Sequence, residues 1–370
     1  MHHSLIFKSL IFKGFATAAL LLFLVVPALP AAAEDGHVME PGHVIDEGNV
    51  IPEGDMSQSK ATIGEIEYTT AVTAAYSTLD AILARSAALF GFDGNATAAE
   101  TGTTGASGGN GPVGAGVWVN GGLQRMDRSG LQWSRGNMST LTAGLDKKIA
   151  SGKAVVGLSL GGEWLRLDMS DNGKYKSDGF SLTPYFSYAL QPTLMLDASL
   201  GLGWQSNHQR SSYISAVDLQ RHEMQEDFDS WRLFTAAGLS KFWMVNKWLI
   251  SARFGAMYLH QNTGSYTMRG SGGLPFSNDI FNVSKNLYDV FQLSLGGRVS
   301  YQYGNLRPFV AATYVQDVAK SGEKRDYVGL NFAAGFNYRI NNVSLGLTGT
   351  YGMRSGYKNY GGLFNIRLDF

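Results

Sequence analysis

A serine framed by glycines stands at Gly157-Leu-Ser159-Leu-Gly161, the spacing of a hydrolase nucleophile elbow. That elbow needs a sharp strand-to-helix turn to lift the serine hydroxyl into the open. Here Glu163-Trp-Leu-Arg-Leu continues an extended pattern, so Ser159 reads as a strand residue. His208, His222 and His260 are the bases that a hydrolase with a loop-rim site would use. His222-Glu223 lacks the second histidine of a zinc helix. His37 and His43 lie six residues apart with acids nearby, in a stretch that reads as a tail rather than a metal site. Segment 207–228 gathers Arg210, Asp218, Arg221, Glu223, Glu226 and Asp227 and reads as a solvated loop. The chain has no cysteine, which excludes disulfides, thiolate zinc sites and cysteine nucleophiles. Thirty basic residues balance thirty acidic ones, leaving no field to attract nucleic acid. No glycine loop for a nucleotide is evident, because the glycines fall inside strand-like runs. We therefore expect no catalytic residue, no cofactor and no metal.

The elements that would position these residues follow from patterning. Residues 1–33 read as a signal peptide: Lys8 and Lys13 flank an apolar run over 14–26, Pro27 and Pro30 break it, and Ala31-Ala-Ala33 supplies small residues for cleavage. Residues 34–60 read as a short flexible exported tail with three six-residue units beginning at Gly36, Gly42 and Gly48. Residues 61–92 predict an amphipathic helix, with Val72, Tyr76, Leu79, Leu83 and Phe90 on one stripe and Thr73, Ser77 and Asp80 opposite. Residues 93–115 are a Gly/Thr/Ser-rich linker.

From residue 116 to 370 apolar and polar residues alternate in twelve long runs: 116–127, 137–149, 153–169, 178–190, 193–206, 229–245, 247–263, 287–303, 305–318, 326–340, 342–354 and 357–370. This is a strand period. The runs exceed the five or six residues usual in soluble strands and meet the roughly 9–11 needed to cross a bilayer. Tight connections at 150–152, Gln191-Pro192, Asn246, Gly304 and Asn341 alternate with longer ones at 128–136, 170–177, 207–228, 264–286 and 319–325. Tryptophans sit near strand ends: Trp118, Trp243 and Trp248 toward the tight turns, Trp133, Trp164, Trp204 and Trp231 toward the long loops. Two interfacial aromatic girdles would place them so. The predicted fold is an all-β membrane protein, a 12-stranded antiparallel up-and-down transmembrane β-barrel preceded by one α-helix. It closes because lipid offers no partner to an open sheet edge.

Parity then assigns faces. Asp197, Arg232, Arg253, Arg298, Arg339 and Arg367 fall on the lumen side, since an arginine facing lipid at the midplane costs about 2–4 kcal/mol. Phe364, Ile366, Leu368 and the terminal Phe370 alternate with Asn365, Arg367 and Asp369. Such an ending looks like the signal that outer-membrane assembly machinery recognises.

Gly116-Val-Trp-Val-Asn-Gly-Gly, Leu141-Thr-Ala-Gly-Leu-Asp-Lys, Ala154-Val-Val-Gly-Leu-Ser-Leu-Gly-Gly and Asn305-Leu-Arg-Pro-Phe-Val resemble, in that order, strands of the autotransporter β-domain. The resemblance implies a translocator barrel at 116–370 in the bacterial outer membrane, with the preceding helix able to occupy the pore. It implies as partners outer-membrane lipids, the barrel assembly machinery and periplasmic chaperones. The short region before the helix is unlike a substantial passenger, and no Asn-Asn pair for self-cleavage precedes the first strand. The reading is a barrel that anchors or displays a short N-terminal segment, with a ligand-facing surface at loops 207–228 and 264–286. Its rivals are a small channel and an outer-membrane hydrolase.

Overall fold

The computed structural model describes residues 53–90, 115–129, 133–214, 221–270, 280–283, 286–320, 328–341, 343–354 and 356–369. The expected signal peptide, most of the tail with its repeats, most of the linker and Phe370 lie outside the described residues.

Helix α1 spans Glu53–Leu89. It begins earlier than the 61–92 read from the apolar stripe, taking in residues expected in the tail.

Fourteen strands follow among the described residues: β1 (Ala115–Arg128), β2 (Ser134–Ile149), β3 (Ala154–Met169), β4 (Lys174–Gln191), β5 (Leu194–Ile214), β6 (Arg221–Val245), β7 (Trp248–Thr263), β8 (Tyr266–Gly270), β9 (Ile280–Val283), β10 (Asn286–Tyr301), β11 (Leu306–Lys320), β12 (Val328–Ile340), β13 (Val343–Arg354) and β14 (Tyr357–Asp369). Twelve of them form a closed antiparallel barrel. Each neighbour in sequence is a neighbour in space, β7 pairs with β10, and β1 pairs with β14 from Gly116↔Asp369 to Arg128↔Tyr357. That last ladder removes both sheet edges, as an apolar surround requires. Strands β8 and β9 form a small hairpin whose β8 pairs with the outer part of β6.

The wall has two faces of opposite character. Leu123, Leu145, Leu160, Phe180, Leu295 and Val310 are among the large apolar residues exposed outward. Thr142, Ser159, Thr183, Ser199, Gln205 and Gln292 are buried on the inner face. The tight turns gather at one end, where both barrel termini lie, and Asn246 and Gly304 adopt positive φ (55° and 56°) there. We call this the periplasmic end.

Several features depart from the sequence reading. Segment 207–228 is not a loop. Its arms continue β5 and β6 as a paired ladder from Asn207↔Phe228 to Ile214↔Arg221. Beyond the bilayer both strand faces can be polar, so the apolar alternation fades while pairing persists. Segment 264–286 likewise carries β8 and β9. Segment 170–177 shrinks to the four residues Ser170–Gly173 between β3 and β4, so tight and long connections do not alternate strictly. Six tryptophans face outward, but Trp118 points into the lumen and is 1% exposed. It shares strand parity with Asn120 and Gln124, and that parity outweighs its place near a strand end.

Candidate functional site: the helix-filled lumen

Helix α1 lies within the barrel and fits there because its wall-facing residues are small. Ala71, Ala74, Ala75 and Ala81 are buried, so the backbone approaches the strands closely. Ile66 and Ala74 pack with Met126, Met138, Leu165, Met169 and Phe228 in the outer half. Val72, Ala75 and Leu79 pack with Phe234, Met257, Leu259 and Val290 midway. Ala81 and Ile82 meet Trp118, Val155 and Tyr185 toward the periplasmic end. The apolar stripe read from the sequence is thus only part of the contact surface: the alanines pack too, whereas Tyr76 and Leu83 stay half-buried.

Polar groups fix the helix at both ends. At the periplasmic end Arg85 makes two bonds to Asp146, Nε to Oδ2 at 2.5 Å and Nη2 to Oδ1 at 2.6 Å. The Tyr185 hydroxyl donates to Asp146 Oδ2 at 2.9 Å, and Trp118 Nε1 donates to the Tyr185 oxygen at 2.9 Å. Ser187 Oγ donates to Ser86 Oγ at 2.7 Å. Gly116 is what admits the guanidinium, because a Cβ there would lie 1.9 Å from Arg85 Nη2. At the outer end Tyr68 donates its hydroxyl proton to Asp317 Oδ2 at 2.5 Å. Arg354 Nη1 donates to the Tyr68 oxygen at 2.8 Å and reaches both Asp317 oxygens at 3.1 and 3.2 Å, and Gln292 donates to Asp317 as well. Thr263 Oγ1 donates to Glu67 Oε1 at 2.8 Å. Between these ends Ser77 and Thr140 share a hydrogen bond of 3.2 Å.

The residues assigned to the lumen from the sequence sit as follows. Arg253 pairs with Asp197, with Nη2 at 2.9 Å from Oδ1. Arg232 pairs with Glu163 at 2.8 Å, and Gln205 also donates to Glu163. Arg298 lies 3.6 Å over the Phe309 ring. Arg339 Nε donates to the Asn341 carbonyl at 2.9 Å, and Arg367 Nη2 to Ser344 Oγ at 3.1 Å. Of this set only Asp197 and Arg253 bond each other. Asp146, Glu163, Asp317 and Arg354, which parity reading did not single out, make the bonds that matter most. Their signal was available: each shares strand parity with inward-facing polar neighbours such as Thr142, Ser159, Thr313 and Thr350.

Phe364, Ile366 and Leu368 face outward from β14. Ser159 is buried in mid-strand and donates to the Thr183 carbonyl at 3.3 Å. His208 Nδ1 lies 2.6 Å from Asp227 Oδ1, and His260 Nδ1 lies 2.8 Å from Asp289 Oδ1. These two histidines occupy outward positions, on the face of the wall opposite Ser159, and no serine–histidine site is assembled from them. Among the described residues no group of three or more His, Asp or Glu side chains is placed to hold a metal.

Comparison with known proteins agrees with this geometry. The family model described as the autotransporter beta-domain matches residues 117–361. The translocator domain of the autotransporter NalP from Neisseria meningitidis is similar in structure, with a TM-score of 0.59 at 14% identity, covering 85% of this chain and 98% of that one. The beta domain of the Bordetella autotransporter BrkA is similar with a TM-score of 0.56 at 19% identity, covering 69% of this chain and 99% of that one. A search of curated protein sequences finds no match. The chain belongs to the autotransporter β-domain family, whose barrels reside in the bacterial outer membrane.

Proposed function

We propose that the barrel holds its own N-terminal segment at the cell surface, anchoring and displaying it rather than catalysing a reaction. The observation that carries this reading is the direction of the threaded helix. Arg85 and Ser86 are tied to the periplasmic end, whereas Glu67 and Tyr68 are tied to the outer end. The N-terminal end of the helix, at Glu53, therefore points outward. The helix C-terminal end and the start of β1 share the periplasmic end, where Arg85 lies against Gly116.

The retained helix serves as an anchor and a plug in this reading. Export would use the N-terminal signal, and insertion would use the assembly machinery reading Phe364, Ile366, Leu368 and Phe370. The outer arms of β5 and β6 and the β8–β9 hairpin would present the surface to a ligand. The test is an epitope placed between His37 and Glu53, read by antibody and by added protease on intact cells. Labelling and cleavage without lysis are expected; full protection until lysis would refute display.

A further inference from the structure

The helix leaves part of the lumen open. Among the described residues, the cavity beside it takes its lining from β1, β5–β7 and β10–β14, arginines of β10–β14 included, and not from β2–β4. On the closed side, near the outer end of the helix, Ile66 seats against Leu165, Tyr175 and Phe228. Two carboxylates stand at this seat, Glu67 on the helix and Glu226 on β6, only 2% and 3% exposed.

Glu226 lies in the outer arm of β6, beyond the bilayer, on the inner face beside Phe228. Directly across the ladder on β5 is Gln209, and across from Gln209 on β4 is Tyr175. Both Glu226 oxygens and the Gln209 amide oxygen are buried without a hydrogen-bond partner, and the Tyr175 hydroxyl donates to Asn207 instead. Glu67 accepts from Thr263 on one oxygen, while its Oε2 is buried and unpartnered. Tyr266 of β8 stacks on Phe228 with ring centroids 4.4 Å apart. Burial raises the Tyr266 hydroxyl pKa, and Glu226 and then Glu67 raise it further, so one ring lies near both carboxylates. Glu163, a third carboxylate acting on Tyr175, is paired with Arg232. Among the described residues no basic side chain bonds Glu67 or Glu226.

A buried carboxylate with neither cation nor donor takes up a proton rather than staying charged. Burial pushes the Glu226 carboxyl from an ordinary 4.5 up to about 8. The closed seat therefore holds a proton that the opened seat releases. By linkage the seat is firmest below the ordinary pKa, weakens as pH rises toward the raised one, and changes little above it.

We infer that Glu226 and Glu67 form a proton-operated latch on the outer end of the helix. While both are neutral the Ile66 seat stays closed. When they ionise, charges on wall and helix repel and draw water into the seat. The latch acts on the helix whether or not the chain before it is displayed. The test is hydrogen exchange of full-length protein in non-ionic detergent at constant ionic strength, from about pH 6 to pH 9 to bracket the Glu226 transition. It is read by mass spectrometry and corrected for the intrinsic effect of pH on exchange. Local opening of peptides covering Ile66 should rise at least about tenfold between pH 6 and pH 8, then level off, one proton allowing about tenfold per pH unit. Peptides around Arg85 should stay constant; a parallel rise there would mean general loosening and overturn the latch. Glu226→Gln should cut the rise about threefold or more, and the Glu226→Gln/Glu67→Gln double variant should abolish it while keeping the protection of the parent at low pH. A flat parent profile, or a folded double variant with the parent's rise, overturns the inference. Folding is checked by heat-modifiable gel migration; if the double variant does not fold, Glu226→Gln alone decides. Calcium or choline that flattens the parent profile would put a bound cation in place of the proton and overturn the latch as well.

Discussion

Arg85 of α1 and Asp146 of β2 face each other through a two-point ion pair, with side chains only 1% and 0% exposed. A guanidinium and a carboxylate are both out of bulk water there, and Tyr185 supplies a further donor to the carboxylate. Such a pair is weak evidence for net stability, but losing one partner strands a buried charge.

Arg85→Ala should therefore cost about 3–5 kcal/mol of helix docking. Denaturant unfolding in detergent and planar-bilayer conductance both report it. A lower midpoint and a larger, noisier conductance are expected. A parent-like midpoint and conductance would show that the helix is held elsewhere.

Gly116→Ala tests the same contact from the strand side. Its new Cβ would lie 1.9 Å from Arg85 Nη2, so the side chain must move and lose its bidentate geometry. The substitution should destabilise the parent measurably and have little effect in an Arg85→Ala background. Equal effects in both backgrounds would mean that the glycine matters for another reason.

The register of β10 separates two substitutions three residues apart. Leu295 is 60% exposed on the outer face, and Leu295→Arg would place a charge in lipid at a cost of about 2–4 kcal/mol. Arg298 faces the lumen, so Arg298→Leu loses its contact with Phe309 but meets no hydrocarbon penalty. Folded yield, read by heat-modifiable migration, should fall far more for Leu295→Arg. Equal yields would contradict the register.

The C-terminal pattern makes a kinetic prediction. Phe370→Ala should lower the amount of barrel inserted in cells several-fold while leaving refolding into detergent nearly unchanged. Insertion at the parent rate would remove the terminal residue from the assembly signal.

The twelve-strand closed barrel was legible in the sequence because lipid on one side and lumen on the other force a period of two on every strand, and the helix before it because its apolar residues recur at three- and four-residue steps. That rule is local: Leu295 and Arg298 reveal their faces from their immediate neighbours. It weakens where lipid ends. Residues 207–214 and 221–228 stay paired, yet their outward face carries His208, Arg210, Glu223 and Asp227, so they read as loop. Trp118 shows the opposite error, where a residue near a strand end suggested a girdle although its parity pointed inward.

The sequence by itself determined the twelve barrel strands, most of their faces and the membrane that surrounds them, since each follows from contacts with solvent or lipid that a short segment makes alone. Only the tertiary structure decided which lumen groups meet. Tyr68 reaches Arg354 across 286 residues, and Asp197 finds Arg253 across 56. Those partners depend on how far each strand is staggered around the closed cylinder and on the side to which the helix leans. The same lean leaves an arginine-lined space beside the helix, which no local pattern records.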